Sequence, residues 1–144
     1  MRIAIPIFDG LTALDAVGPY EVLSRLPGAE VTLVAAEKGA KRTDQGGLAL
    51  FADATLAEVS APDVIVVPGG PGTRKLLQSP LVDWIRAVHE TTTFTASVCT
   101  GSLLLGAAGL LAGRRATSHW LEREQLRAFG AIPTAERIVE EGRI

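Results

Sequence analysis

The chain has 144 residues, 47% hydrophobic, 21% charged and 5% aromatic, which suits one domain with a sizeable core and excludes a disordered segment. Fourteen Lys and Arg against 16 Asp and Glu leave a net charge of −2; with so few aromatics, this argues against a nucleic-acid partner, which needs basic stripes and stacking platforms. A single Cys excludes an internal disulfide, the nearly unbroken apolar run at 103–112 is far short of the roughly 20 residues that cross a bilayer, and Asp9 comes too early for a signal peptide, so the expectation is a cytoplasmic protein with no membrane partner.

Residues 3–8 form a continuous apolar run closed by Asp9-Gly10, the pattern of a buried strand and a turn. Pro6 has no N–H to give a sheet ladder, which predicts a bulge or an unpaired position there. Gly18-Pro19 predicts a helix start with proline in its first turn, running through Glu21, Val22 and Leu23 to Pro27-Gly28. On that reading Asp15 lies in the loop before the helix. Residues 31–36 form the next strand, and 39–51 read as a surface hairpin or an excursion beside the sheet. The unbroken apolar run at 63–67 has the character of a central parallel strand covered on both faces, and it feeds a sharp loop, Pro68-Gly69-Gly70-Pro71-Gly72.

Ser79 before Pro80 predicts an N-cap and a first helical residue, and Leu81, Trp84, Ile85 and Val88 mark a buried helix face. His89 in that helix reads as a surface residue. A strand at 94–98 precedes a helix at 101–112 that is apolar almost all round and therefore buried, with Gly106 and Gly109 allowing close approach. An exposed amphipathic helix at 121–129 stops at Gly130, and residues 137–139 open a hairpin reaching Ile144. Strands alternating with helices imply one α/β domain over residues 1–144, built on a mostly parallel sheet whose site lies at the carboxyl ends of the strands.

Two loops have that position, 68–72 and the junction Ala96-Ser97-Val98-Cys99-Thr100-Gly101-Ser102. The junction has the mechanics of a nucleophile elbow, in which a strained strand-to-helix turn lifts one side chain and demands small residues two positions away, here Ser97 and Gly101. A lone intracellular Cys is ordinarily a small buried hydrophobe, but this context favours a nucleophile, with the positive end of the helix favouring thiolate. The N–H groups of Gly69, Gly70 and Thr100 are candidate donors for charge developing on a substrate. The glycine loop alone signals only a tight turn: it matches neither a dinucleotide fingerprint nor a P-loop. His119 reads equally as a structural hydrogen-bonder or a pocket residue, and Asp15 alone would pass for a solvated acid. Two His and one Cys so far apart give no metal-ligand spacing.

Together these residues resemble the ThiJ/PfpI superfamily, related to class I glutamine amidotransferases. Ser97-Val98-Cys99-Thr100-Gly101-Ser102 through Gly106-Ala107-Ala108-Gly109-Leu110-Leu111 is similar to isonitrile hydratases. So are Leu14-Asp15 with Gly18-Pro19, Pro68-Gly69-Gly70, Ala116-Thr117-Ser118-His119-Trp120 and Phe129-Gly130-Ala131-Ile132-Pro133. The resemblance implies a flavodoxin-like three-layer sandwich, a small-molecule substrate, no cofactor, a homodimer, and catalytic roles for Asp15, Cys99 and Thr100. Gly69, Gly70 and His119 would line the substrate site. Members with protease or deglycase-like activity usually carry His directly after the cysteine; Thr100 departs from that pattern. The implied reaction adds water to an isonitrile through a Cys99 thioimidate. Two alternatives stay open: the ligand-sensing, amidase-like half of an AraC-type regulator, which would require a further basic helical region of about 100 residues, and a redox-sensing paralogue without turnover. The resemblance also implies that the chain stops inside a hairpin, short of a long C-terminal helix, leaving an apolar face of the sheet uncovered.

Overall fold

A computed structural model describes residues 1–144. Five strands, β1 (Arg2–Pro6), β2 (Glu30–Ala35), β5 (Ala54–Thr55), β6 (Val64–Val67) and β7 (Phe94–Ser97), form one sheet in the order β5-β2-β1-β6-β7. Every pairing in it is parallel. Between β2 and β5 the chain makes an antiparallel hairpin, β3 (Gly39–Arg42) with β4 (Ala49–Ala52), beside the sheet as expected. Helix α1 (Ala13–Leu23) links β1 to β2, and α2 (Pro80–His89) links β6 to β7. These two crossovers run in opposite directions along the sheet, so right-handed connection puts the helices on opposite faces. The α/β sandwich with a mostly parallel sheet is the fold anticipated from the pattern.

Pro6 sits in β1 without a bulge, opposite Val34 of β2. The N–H of Ile7 donates to Val34 O at 2.7 Å, so by alternation the Pro6 nitrogen faces β6. Pairing of β1 with β6 covers only Ile3 and Ala4, so the missing donor falls where no ladder bond is required. Helix α3 (Gly101–Ala107) packs beside α2 and is buried from Gly101 through Gly106. It ends at Ala107 rather than 112, because Gly109 takes a left-handed conformation (φ 82°) and turns the chain. Gly106 does admit a close neighbour: a Cβ there would lie 2.7 Å from the Phe129 ring.

Four expectations are corrected. Helix α1 begins at Ala13, five residues before Gly18, with Pro19 inside it, so Asp15 belongs to the helix's first turn and not to a loop. His89 is buried, its Nδ1 2.8 Å from Thr95 Oγ1, which in turn lies 2.9 Å from Thr92 Oγ1. Residues Arg123–Phe129 form a 3₁₀ helix, and the α-helical spacing read there is not realised. The hairpin read at 137–144 is reduced to a turn without strands: Glu141 N–H donates to Ile144 O at 2.8 Å around Gly142-Arg143, and Arg143 O accepts the Thr95 N–H of β7 at 2.9 Å. Two short strands unseen in the sequence, β8 (Arg115–Ala116) and β9 (Ile132–Pro133), pair in parallel.

The α2–α3 face of the sheet is closed over Ile65, Val67, Ile85, Leu103 and Leu104. The α1 face is not. An open apolar groove of about 450 Å³ lies between α1 and β7, lined among others by Pro19, Val22, Leu23, Val64, Phe94 and Ala96, and Phe94 is half exposed. No helix is long and apolar enough to cross a membrane.

Candidate active site

The strand order reverses between β1 and β6, and the loops leaving the carboxyl ends of β1, β6 and β7 meet there. They are tied together through the backbone: Thr12 N–H donates to Gly69 O at 2.9 Å and Gly72 N–H to Gly10 O at 3.0 Å. The first turn of α1, which follows the first loop, brings Asp15; the second loop brings Gly69 and Gly70, and the third Cys99 and Thr100.

Cys99 is the one non-glycine residue with positive φ, 56°. An L-residue in this region costs about 1–2 kcal/mol, so the turn must be held by its surroundings. Val98 N–H reaches Val67 O and Gly101 N–H reaches Val98 O, both at 2.9 Å, closing the turn on each side of the cysteine. Two hydroxyls then brace the Cys99 carbonyl, Ser102 Oγ at 3.2 Å and Ser118 Oγ at 3.1 Å. Gly101 has no alternative: a Cβ there would stand 2.1 Å from Val67 O. The elbow read from the sequence is thus a real strained turn.

Asp15 is 8% exposed, and its Oδ2 accepts the Gly69 N–H at 3.2 Å. Burial, the largest influence, raises its carboxyl above the ordinary aspartate value. Hydrogen bonds from Gly69 and with the Cys99 side chain pull the other way, the charge of Asp44 adds to the rise, and His119 opposes it. The Cys99 thiol is also pushed up, first by burial and then, against the Thr100 N–H, by the Asp15 carboxylate. The expectation that the helix start favours thiolate is therefore corrected: α3 is only seven residues long, and burial outweighs it. The buried acid and the half-buried thiol interact unequally: the Asp15 carboxylate makes ionisation of Cys99 harder, whereas the Cys99 side chain eases that of Asp15.

The Thr100 hydroxyl is bound into the loop after β6. Gly70 N–H donates to Thr100 Oγ1 at 2.8 Å, Thr73 Oγ1 lies 3.2 Å from Thr100 Oγ1, and Thr73 donates to Gly70 O at 2.8 Å. Thr100 Oγ1 is also 3.2 Å from Gly70 O. Two hydroxyl protons and one amide proton are consumed within this ring, and Thr73 and Thr100 are both buried. The amides of Gly69 and Gly70 are likewise corrected: one is bonded to Asp15 and the other to Thr100, so neither is a free donor for substrate charge. Of the anticipated donors, the N–H of Thr100 faces the sulfur. Gly69 matters as a space, since a Cβ on it would lie 2.5 Å from Thr100 N and 2.9 Å from Cys99 Cβ.

His119 is half-buried at the rim. Its ring stacks on Trp120 at 3.9 Å, and its Nδ1 accepts the Leu121 N–H at 3.4 Å. Arg74 and Glu122 form an ion pair, which with Ser118 ties the segment 118–122 across the mouth of the site. Thr73, Ser102 and Ser118 were not identified from the sequence. Ser102 and Ser118 lay inside motifs already singled out, and Thr73 directly follows the glycine loop, but nothing in their spacing revealed their partners.

The DJ-1/PfpI family model matches residues 1–144. The chain belongs to the DJ-1/PfpI family. An isonitrile hydratase of Pseudomonas putida is 41% identical over 145 residues, covering all of this chain and 63% of that protein. The HTH-type transcriptional regulator CdhR of Pseudomonas aeruginosa is 29% identical over 117 residues, 81% of this chain and 35% of the regulator. Among solved structures, a ThiJ/PfpI family protein from Pseudomonas syringae superimposes with a TM-score of 0.93 at 37% identity, covering 99% of this chain and 60% of that one. This chain therefore spans about three-fifths of the length of the hydratase and of the solved structure.

Proposed function

We propose that this DJ-1/PfpI domain is a hydro-lyase that hydrates isonitriles to N-substituted formamides, with Cys99 as nucleophile and Asp15 as proton carrier. The observation that carries the reading is the buried Asp15 acting on the half-buried Cys99, with Thr100 and not a histidine following the cysteine and with the backbone amides of the glycine loop already bonded. Acyl transfer would place negative charge on an oxygen that needs several free donors. An isonitrile needs instead a soft nucleophile and a proton at the same carbon.

The pair, holding one proton between sulfur and carboxyl, supplies both. Sulfur bonds to the terminal carbon while the proton passes through Asp15 to that carbon, giving the thioimidate R–N=CH–S–Cys99. Asp15, now a carboxylate, takes a proton from water as its oxygen adds to the carbon, and nitrogen is protonated. The C–S bond then breaks, releasing R–NH–CHO and returning the thiol. Burial suits Asp15 to this work, because it raises the carboxyl above its ordinary value and so favours the proton-holding form. Thr100 and the loop of Gly69 and Gly70 hold the elbow and the acid in register, and His119 borders the substrate. A homodimer is proposed with it, tested by light scattering.

The test is formamide production from a simple isonitrile, followed by mass spectrometry, with Cys99→Ala and Asp15→Asn beside the parent chain. Cys99→Ala should abolish turnover, and Asp15→Asn should lose about 10²–10⁴-fold. Turnover by Cys99→Ala at the parental rate would end the proposal. The similarity to a transcriptional regulator supports a second reading, a sensor: such a domain binds an isonitrile or another small molecule and releases it unchanged.

A further inference from the structure

The turn between β3 and β4 lies far from Cys99 in sequence, yet it reaches the first turn of α1. Leu11 and Thr43 form a parallel bridge, and Asp44 N–H donates to Leu11 O at 2.9 Å. The Asp44 carboxylate accepts the Thr12 hydroxyl on Oδ2 at 3.2 Å and the Gln45 N–H on Oδ1 at 2.8 Å. Thr12 is the N-cap of α1, with extended backbone (φ −81°, ψ 117°), but its side chain caps nothing in its own helix. Its hydroxyl is turned outward to Asp44. The same residue gives its N–H to Gly69 O and its carbonyl to the Asp15 N–H at 3.0 Å. Thr12 therefore joins the hairpin, the glycine loop and the turn that carries Asp15.

Four groups act on the Asp15 carboxyl: the Gly69 N–H bonded to it from the loop after β6, the Cys99 thiol from the elbow, and, through charge, Asp44 from the hairpin and His119 from the segment before the 3₁₀ helix. Among them Asp44 is the second carboxylate. We infer that Asp44 is a positioning residue for the Asp15–Cys99 pair: its carboxylate anchors Thr12 at the head of α1, the turn that carries Asp15, and sets there a negative charge that opposes a second one on Asp15. The influence of Asp44 on Asp15 is in that direction, added to burial. Asp44 is exposed, so its action passes through solvent and weakens as salt shortens the screening length from about 10 Å at 0.1 M to about 3 Å at 1 M. A merely structural contact would not respond in this way.

The consequences for turnover rest on the hydratase reading, but the proton affinity of the pair does not, and Cys99 reports it alone because the chain has no other cysteine. The experiment measures the pH profile of Cys99 alkylation by iodoacetamide in the full chain, for the parent, Asp44→Asn and Asp44→Glu, at low and high salt, with formamide assays at the same pH values. In Asp44→Asn at low salt the acid limb moves to lower pH, the displacement shrinks at 1 M salt, and Asp44→Glu stays with the parent. A folded Asp44→Asn whose profile superimposes on the parent at low salt overturns the inference, as does a displacement of equal size at both salts. Should Asp44→Asn not fold, Thr12→Val removes the anchoring hydroxyl and should move the limb the same way by less; superposition there overturns it equally. A displaced alkylation limb in a protein that makes no formamide keeps Asp44 in its role and removes the hydratase reading. Formamide production with an unmoved limb does the reverse.

Discussion

Gly69→Ala should damage the site without touching a reacting atom. Gly69 has no positive φ, so the substitution meets no backbone penalty of its own, and the effect is one of space. The added Cβ would lie 2.5 Å from Thr100 N, 2.7 Å from Thr100 Oγ1 and 2.9 Å from Cys99 Cβ. Ordinary contact begins near 3.4 Å, so the loop after β6 and the elbow must separate by nearly 1 Å. None of these atoms is the free end of a flexible side chain, and overpacking of this kind costs about 1–3 kcal/mol. With roughly 2.1 cal/mol/K of unfolding entropy per residue, a chain of this length should melt about 3–10 °C lower. The same movement stretches the Gly69–Asp15 and Gly70–Thr100 bonds, and a misplacement near 1 Å in a site costs on the order of 10²-fold in rate. Gly47→Ala is the control: nothing lies within 4 Å of its Cβ, so it should be neutral or stabilising by up to about 1 kcal/mol. Thermal melts read against the isonitrile assay check both. A Gly69→Ala protein that melts and turns over like the parent would refute the argument from close approach.

Cys99→Gly should be more stable than Cys99→Ala by about 0.5–1 kcal/mol, because glycine removes the left-handed strain at φ 56° and loses part of that gain to the entropy of the unfolded chain; paired melting curves decide. Asp15 has its carboxyl raised in the folded state, so its stabilising contribution is complete below the ordinary value of 3.8 and is lost as pH rises through the raised one. The melting temperature of Asp15→Asn relative to the parent should therefore widen in its favour with rising pH, and a gap that widens toward acid would contradict this. Ser118→Ala and Ser102→Ala should each cost about 0.5–1.5 kcal/mol, and the double variant more than their sum, since the Cys99 carbonyl then loses both hydroxyls; strict additivity in denaturant titrations would count against shared bracing.

The central strands were legible because their apolar runs need no long-range information: 63–67 and 94–98 become β6 and β7 to within a residue. The elbow was legible for a similar reason, its steric demand being met by near neighbours, Ser97 and Gly101. What failed was non-local. Gly18-Pro19 looks like a helix start, but the chain already turns helical at Ala13, where Thr12 is held by Gly69 and Asp44 across 57 and 32 residues. The buried state of His89 depends on Thr95, six residues on but across a helix end. The roles of Thr100, Gly69 and Gly70 looked like open donors because a sequence shows which groups can donate and not which are already spent. Only the fold reveals that Thr73 closes their circuit.

That circuit constrains what can be engineered at position 100. A residue placed there must accept the Gly70 amide, meet the Thr73 hydroxyl and fit against a glycine that has no room for a methyl group. An imidazole nitrogen can accept an amide proton, but it lies further from the backbone than Thr100 Oγ1 and the ring needs a larger volume. Converting this elbow to a cysteine–histidine dyad would take away the acceptor of the Gly70 amide and leave Thr73 only Gly70 O as a partner, so position 73 and the glycine loop would have to be redesigned with it. Residues 70, 73 and 100 form one unit of inheritance: exchanged singly they break a closed set of bonds, and only together can they carry the site to another chemistry.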